Sequence, residues 1–562
     1  MLTRRQMSKY TVTVIDTTGI QSYVFGSNRL RENIGASYLL AQATGDWVEE
    51  ILEKNVGVPK AQQKLPIESS NLSAELVYAG GGNAMVIFRT HDFAIEFTRK
   101  LSKKVLYDAP GVNLVVAHGK FEWDAGSLYE VVQELIKNEL ERKKYGRIPS
   151  APLLGLGVTT TCNSTQLPAI GRSDEPKYKM PAESKPYLVS RETGAKLQVV
   201  NDANVKLKKE IFQAETLKEY KIALDFDDFG RTEGESSYLA IVHADGNSMG
   251  ERFQNIGEGK GDREYINALR NLSKSVNQAG INALKEITKI LVKSIHTDEG
   301  GKKKVKGQFE IKDNFLPFRP IVYGGDDVTF VCEGRLGLEL AALYLQKLQE
   351  QPIADGEKLK ACAGISIVKT HYPFARSYEL SEALCREAKR YVKQKKEKQK
   401  KDGNFAALDW HIAASGLSGS LQEIREREYH VKIPESSQIA HLEMRPVRLE
   451  QHQSDWHTWE GFTTVVKEFN KEGGYWKERR NKVINLREIL RKGSGATKEF
   501  LNGYRLQPLP LIPDPSGRSQ KLAQEGWLDV CGYFDAIEAM EFYISLGEET
   551  DESLSPENQT AE

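Results

Sequence analysis

One order of elements occurs twice in this chain, and it constrains the fold more than any single motif. From the N-terminus, "YTVTVID" (10–16) reads as a strand and "RLRENIGASYLLAQATGDWVEEILEK" (29–54) as a helix. "ELVYAGGGNAMVIF" (75–88) then reads as a hairpin with glycines at its tip, "DFAIEFTRKLSKKVL" (92–106) as a helix and "VNLVVAHGKF" (112–121) as a strand. The series repeats further on. "YLAIVHA" (238–244) is strand-like, and Ile266, Leu269, Leu272, Val276, Ala283, Ile287 and Ile290 recur at helical spacing. "IVYGGDDVTFVC" (321–332) is a second glycine-tipped hairpin, followed by helix 336–350, strand 359–368 and helix 375–394. Strand, helix, hairpin, helix, strand is the split βαβ, ferredoxin-like order, and its helices are expected to cover one face of each sheet and leave the other for a ligand. Two copies imply an internal duplication, hence an α+β chain with two such domains.

The hairpin tips differ in chemistry. Gly80, Gly81, Gly82 and Asn83 occupy the first; Gly324, Gly325, Asp326 and Asp327 occupy the second. Glycine permits positive φ in a tight turn and lets a ligand approach the backbone. Neighbouring strand residues point to opposite faces, so only one of the two aspartates can aim straight at a given side. Asp245 ends the central strand of the second copy and is expected to converge with both hairpin acids. Hard carboxylate oxygens in that number suit Mg²⁺ or Mn²⁺ that completes its shell with water and substrate phosphates. Gly246, Asn247 and Ser248 follow, opening toward a helix whose N–H groups are expected to cradle a phosphate. Lys389 and Lys393 share one helix face and fit the same polyanion, although the spacing alone also fits a solvated surface. The first copy has no hairpin acid and is expected to bind a ligand without cutting or joining it.

Bulk properties narrow the class. With 78 basic and 78 acidic side chains the net charge is zero, so any polyanion site has to be local. Cys162, Cys332, Cys362, Cys385 and Cys531 form no CxxC pair, which suits a reducing cytoplasm and gives no zinc motif. Neither a signal peptide nor a run of about 18 apolar residues is evident, so no membrane contact is expected.

At these residues the sequence resembles the large polymerase/cyclase subunit of type III CRISPR effector complexes, the Csm and Cmr large subunits. "IDTTGIQSYVFGSNRLRENIGASYLL" and "YAGGGNAMVIF" are similar to that family's first palm; "HADGNSMG", "YGGDDVTFVC" and "ACAGISIVKTHYPFARSYELSEALCREAKR" are similar to its second, catalytic palm. The resemblance implies that Asp245, Asp326 and Asp327 hold the metals. It further implies that the substrate is ATP, that the product is a cyclic oligoadenylate, and that RNA or partner effector subunits act as trigger. The related GGDEF cyclases grip triphosphate with a lysine in an "AK" step and a basic residue four later, positions that match Lys389 and Lys393. A silent RNA-binding scaffold and a mono- or dinucleotide cyclase stay open as alternatives.

Two departures stand out. The family often starts with a helical HD nuclease domain, whereas the first palm strand begins here near residue 10, and the His91-Asp92 dipeptide opens a palm helix with Asp92 as its expected N-cap. No nuclease is expected. Where the family carries a four-cysteine zinc module, this chain keeps only Cys162. The expected organisation is a degenerate palm (1–145), a connector (146–235), a catalytic palm (236–410), a helical domain (411–546) and a disordered acidic tail (547–562). The lysine-rich stretches 300–307 and 393–403 read as solvated loops or frayed helix ends.

Overall fold

The computed structural model describes residues 9–124, 128–146, 158–180, 185–212, 214–230, 237–398, 404–413, 419–432, 439–452, 455–514 and 517–547. Residues 548–562 of the expected tail and 399–403 of the second lysine-rich stretch therefore lie outside the described residues.

Alternation of β-branched residues over Lys9–Thr18 makes a strand buried on both faces, one of Tyr10, Val12 and Val14 and the other of Thr11, Thr13 and Ile15, and that strand lies centrally in a four-stranded antiparallel sheet. Its neighbours are Asn83–Phe88, which continues outward to Ala74–Gly80, and Asn113–Glu122. Helices Leu30–Thr44, Asp46–Lys54 and His91–Asp108 pack on one face through Leu39, Val48, Phe97 and Leu101. The expected helix 29–54 is broken at Gly45, and the cap of the later helix is Thr90, whose hydroxyl accepts from the Phe93 N–H; Asp92 sits in the first turn instead. There it still complements the positive end of the helix.

The second sheet is larger. Tyr238–Gly246 lies between Val328–Glu333 and Ala361–Lys369, the GGDD hairpin continues to Phe318–Val322 at one edge, and Ala407–Ala413 and Val447–Arg448 extend the other edge to six strands. Ala407–Ala413 pairs in parallel with Ala361–Lys369, so the sheet runs past the expected boundary at residue 410. The C-terminal helices, beginning with Trp459–Asn470, pack onto the same side, where Trp410 meets Phe462 at 4.7 Å between ring centroids. They share one apolar core with the palm.

Both faces of the second sheet are covered, against expectation. Helices Asp262–Lys293 and Gly337–Gln349 lie on the face of Ala240, Val242 and Phe330. Helix Phe374–Lys398 crosses the opposite face so closely that a Cβ on Gly364 would fall 2.0 Å from the Ser381 carbonyl oxygen. Tyr23, Phe25 and Ile34 from the first palm cover the remainder, and Phe25 stacks on Tyr378 at 3.6 Å. In return, Tyr265, Ile266 and Leu269 at the start of the long helix 262–293 bury themselves against the first palm's Val12, Val77 and Ile87. Each palm thus closes the open face of the other.

Two expectations about loops give way. The lysine-rich stretch 300–307 contributes the middle strand, Lys303–Val305, of a small three-stranded insertion, with Val305 buried beneath the lysines. Among the described residues the connector contains three α-helices, Arg191–Gln198, Val200–Glu210 and Ala214–Glu219, the first pressed against Gly35 of the first palm. Its Cys162 is buried beside the Thr193 hydroxyl at 3.3 Å, and among the described residues no cysteine belongs to a metal-like cluster. No helix among the described residues is long and apolar enough to cross a membrane.

Candidate active site

The two glycine-tipped turns meet. A Cβ placed on Gly81 would lie 3.5 Å from the carbonyl oxygen of Gly324, with φ at +64° for Gly81 and +103° for Gly324. Positive φ and this approach together explain why neither tip carries a side chain. Gly82 is fixed by its carbonyl, which accepts from the Thr17 hydroxyl at 2.7 Å, and Asn83 pairs across the turn with Gly80. On the other side Gly325 projects its carbonyl toward Gly280 of the long helix.

Strand register places the acids. Val328 pairs with Ala244, so Asp327, one residue earlier, falls beside Asp245, while Asp326 lies against Gly246, where an added Cβ would meet its own Cβ at 2.9 Å. Asp327 stands over His243, 3.3 Å from its Nδ1, and that nitrogen also contacts the Thr329 hydroxyl at 3.2 Å. Burial keeps His243 below the usual histidine range even though Asp245 and Glu382 pull the other way, so the ring is a neutral support. Burial, then the charge of Asp245, pushes the Asp326 carboxyl up to about 6. Asp327 rises well above the ordinary aspartate range through enclosure in the cleft and then repulsion from Asp245 and Asp326. Because 51% of its side chain still meets solvent, the like charges are the durable part of that rise.

Lys389 enters this cluster from helix 374–398, donating to Asp245 Oδ2 at 2.5 Å and to the Gly246 carbonyl at 2.9 Å. Burial would lower its ammonium, but the pairing with Asp245 outweighs this and the group is held above the usual lysine range. Lys393, one turn on, is exposed and makes no hydrogen bond or ion pair among the described residues. The expected phosphate cradle is also narrower than the sequence suggests. The Asn247 N–H donates to the Lys360 carbonyl at 2.8 Å, its side-chain amide donates to Asn404 and to the Phe405 carbonyl, and only Ser248 of the three is exposed. Ser248, at φ +55°, leads into a helix of just seven residues, Met249–Asn255.

Sequence reasoning missed two residues. Asp16 lies near the end of the first palm's central strand as Asp245 does in the second's, and Lys144, from the helix Glu141–Tyr145 that follows the first sheet, forms an ion pair with it. The matching strand ends "VTVID" and "IVHAD" were the available signal. A surface groove of about 360 Å³, lined by Asn271, Lys274, Ser275 and Gln278 among others, contains none of these groups.

Residues 238–402 match the family described as Cas10/Cmr2, second palm domain. This palm is of the Cas10/Cmr2 type. The likeness of fold reaches beyond this palm: 96% of the chain superposes on 70% of a chain from a Csm1-Csm4 cassette in complex with AMPPNP, at 14% identity and a TM-score of 0.51. Similar figures hold for the cassette with one ATP (13% identity, 96% and 70% covered, TM-score 0.51) and with cA4 (14%, 96% and 70%, 0.50). At these identities the likeness is one of fold. No curated protein matches the sequence.

Proposed function

We propose that this chain condenses ATP into 3′–5′ linked cyclic oligonucleotides with release of pyrophosphate, in a type III CRISPR setting. The observation that carries the reading is the charge imbalance at the meeting of the two tips, where Asp245, Asp326 and Asp327 face Lys389. The raised carboxyls fit a site built for a cation, and an all-oxygen donor set of this size fits Mg²⁺ or Mn²⁺. Asp245, Asp326 and Asp327 would hold the ion, which when bound neutralises phosphate charge and activates a hydroxyl.

The chain's own residues bind and orient. Lys389 can exchange the Asp245 carboxylate for an oxygen of the donor triphosphate without leaving its place. His243 holds Asp327 toward the cleft from below. Across the cleft, the turn Gly80 to Asn83 offers backbone groups and one side-chain amide to an acceptor nucleotide, close enough for its 3′-hydroxyl to reach the donor's α-phosphorus. That P–O bond forms as the bond to pyrophosphate breaks, with pyrophosphate as the leaving group and the hydroxyl proton passing to solvent water. Support comes from the shared fold with Csm1-Csm4 cassettes described in complex with ATP and with cA4, which also suggests a Csm4-like subunit as partner.

The test is incubation of the purified chain with each nucleoside triphosphate and Mg²⁺ or Mn²⁺, with and without effector subunits and target RNA, followed by mass spectrometry. Cyclic oligoadenylates and pyrophosphate are expected from ATP. Co-purifying RNA without turnover of any nucleotide under all these conditions would show a scaffold instead, and a cyclic mono- or dinucleotide would revise the product.

A further inference from the structure

Beyond the catalytic sheet the chain forms a small ribbon in which His430–Lys432 pairs antiparallel with Ile439–His441. Register sets His430 directly opposite His441. Side chains two residues apart on an extended chain share a face, so Glu443 falls on the side of His441, while Leu442 between them is fully buried and its N–H donates to the Tyr429 carbonyl at 2.9 Å. The backbone alone therefore gathers two imidazoles and a carboxylate. The imidazole rings stand 4.3 Å apart, edge to face. His430 Nε2 and His441 Nδ1 lie 3.6 and 3.7 Å from the same oxygen, Glu443 Oε1, and one ligand atom from each residue falls within 4.8 Å of the other two.

These contacts are too long for hydrogen bonds. They are close to the separation of about 3.4 Å between two ligands of one tetrahedral ion with metal–ligand bonds of 2.0–2.2 Å. A second observation is independent of the spacing. Glu443 is only 9% exposed, and its other oxygen, Oε2, has no hydrogen-bond partner among the described residues. A buried carboxylate oxygen left unpaired is unfavourable, and a cation held by both oxygens of Glu443 resolves it. His441, with 45% of its side chain exposed, leaves a way in from solvent.

We propose that His430, His441 and Glu443 form a binding site for a divalent transition-metal ion of the Zn²⁺ class, with a fourth position open to water. Imidazole nitrogens favour such an ion over Mg²⁺, so the site differs in chemistry from the all-carboxylate cluster of the palm. The ion ties the two strands of the ribbon together and anchors them where the His441 carbonyl accepts from the Cys531 N–H at 3.0 Å.

The experiment uses the full chain carrying Asp326→Ala and Asp327→Ala, which disables the palm site. Zn²⁺ is titrated calorimetrically, metal content is measured after dialysis, and Co²⁺ is substituted to read the visible spectrum of a nitrogen-ligated ion. One ion per chain is expected, with a raised melting temperature. His441→Ala and Glu443→Gln should each weaken Zn²⁺ at least about a hundredfold, since loss of even an indirect supporting residue costs 10- to 100-fold. His441, at the surface, can be replaced without loss of folding, and His430→Ala then completes the ligand set. An absent stoichiometric Zn²⁺ site, or the same affinity in the parent and in His441→Ala, overturns the proposal.

Discussion

Asp16 and Asp245 lie near the ends of equivalent central strands, and each receives a lysine, Lys144 or Lys389, from a helix that comes after the fourth strand of its palm. The registers agree residue by residue. Ile15 pairs with Ala84 and Ala244 with Val328, so Gly82 and Asn83 of the first palm occupy the places of Asp326 and Asp327 in the second. The duplication has therefore kept the strand acid, its lysine and the glycine tip in both halves and changed the charge of two hairpin positions. In the first palm one carboxylate faces one ammonium. In the second, three face one. On the proposed function, that surplus is what would hold a cation in the second palm, while the balanced charge of the first suits a surface that positions a nucleotide.

The sharpest way to break this comparison is to make the second palm like the first. Asp326→Ala with Asp327→Ala should reduce cyclic oligonucleotide synthesis to background while the melting temperature without metal holds or rises, because mutually repelling carboxyls are removed. Undiminished synthesis in the double variant would falsify the proposed site. Next in size is the first palm's tip. At φ +64° and 3.5 Å from Gly324, Gly81→Val strains the turn by about 1–2 kcal/mol and fills the gap, so calorimetry should count one nucleotide per chain where the parent binds two. If the count stays at two, the duplication is structural only.

The lysines grade the comparison more finely. Lys389→Ala should weaken ATP binding by about ten- to a hundredfold, whereas Lys393→Ala, at an exposed position with no observed partner, should stay within about twofold. Lys144→Ala should fall between them, with stability changes in the last two within about 0.5 kcal/mol. Equal losses at Lys389 and Lys393 would show that the grip is wider than the ion pair. The smallest effect concerns pH. His118 of the first palm, held by burial and then by His91 and Lys143 down to about 4, stays neutral in the fold, while the unfolded chain takes up the proton near 6.5. Its contribution to stability is therefore present above about 6.5 and lost as pH falls toward 4; being partly exposed, it should amount to no more than about 1 kcal/mol at pH 5.5. Acid denaturation curves of the parent and His118→Gln check this, the variant having the shallower acid limb.

Local pattern revealed the palms and their acids because they are written in short-range code: alternation, helical spacing and glycine in turns. What it hid depends on distant pairing. "AALDWHIAA" becomes a palm strand only because Ala361–Lys369 lies alongside it. Lys144 stands in the basic run "ERKKYG", where nothing local says which amine turns toward Asp16. Asn247 reads as an open phosphate donor until the Lys360 carbonyl and the segment at Phe405 are folded against it. The cover on the second sheet face was hidden for the same reason, since it comes partly from the other half of the chain.

That exchange of cover has a historical meaning. Tyr265, Ile266 and Leu269 of the second half lie on the first half's sheet, and Arg263 and Arg270 bind Glu75, which is fully buried. Removing one partner from a buried ionic set of this kind costs about 3–5 kcal/mol. An ancestor made of two identical units could have come apart and reassembled, but these halves have each surrendered a finished surface to the other. Neither half can now stand alone without exposing the surface its twin covers.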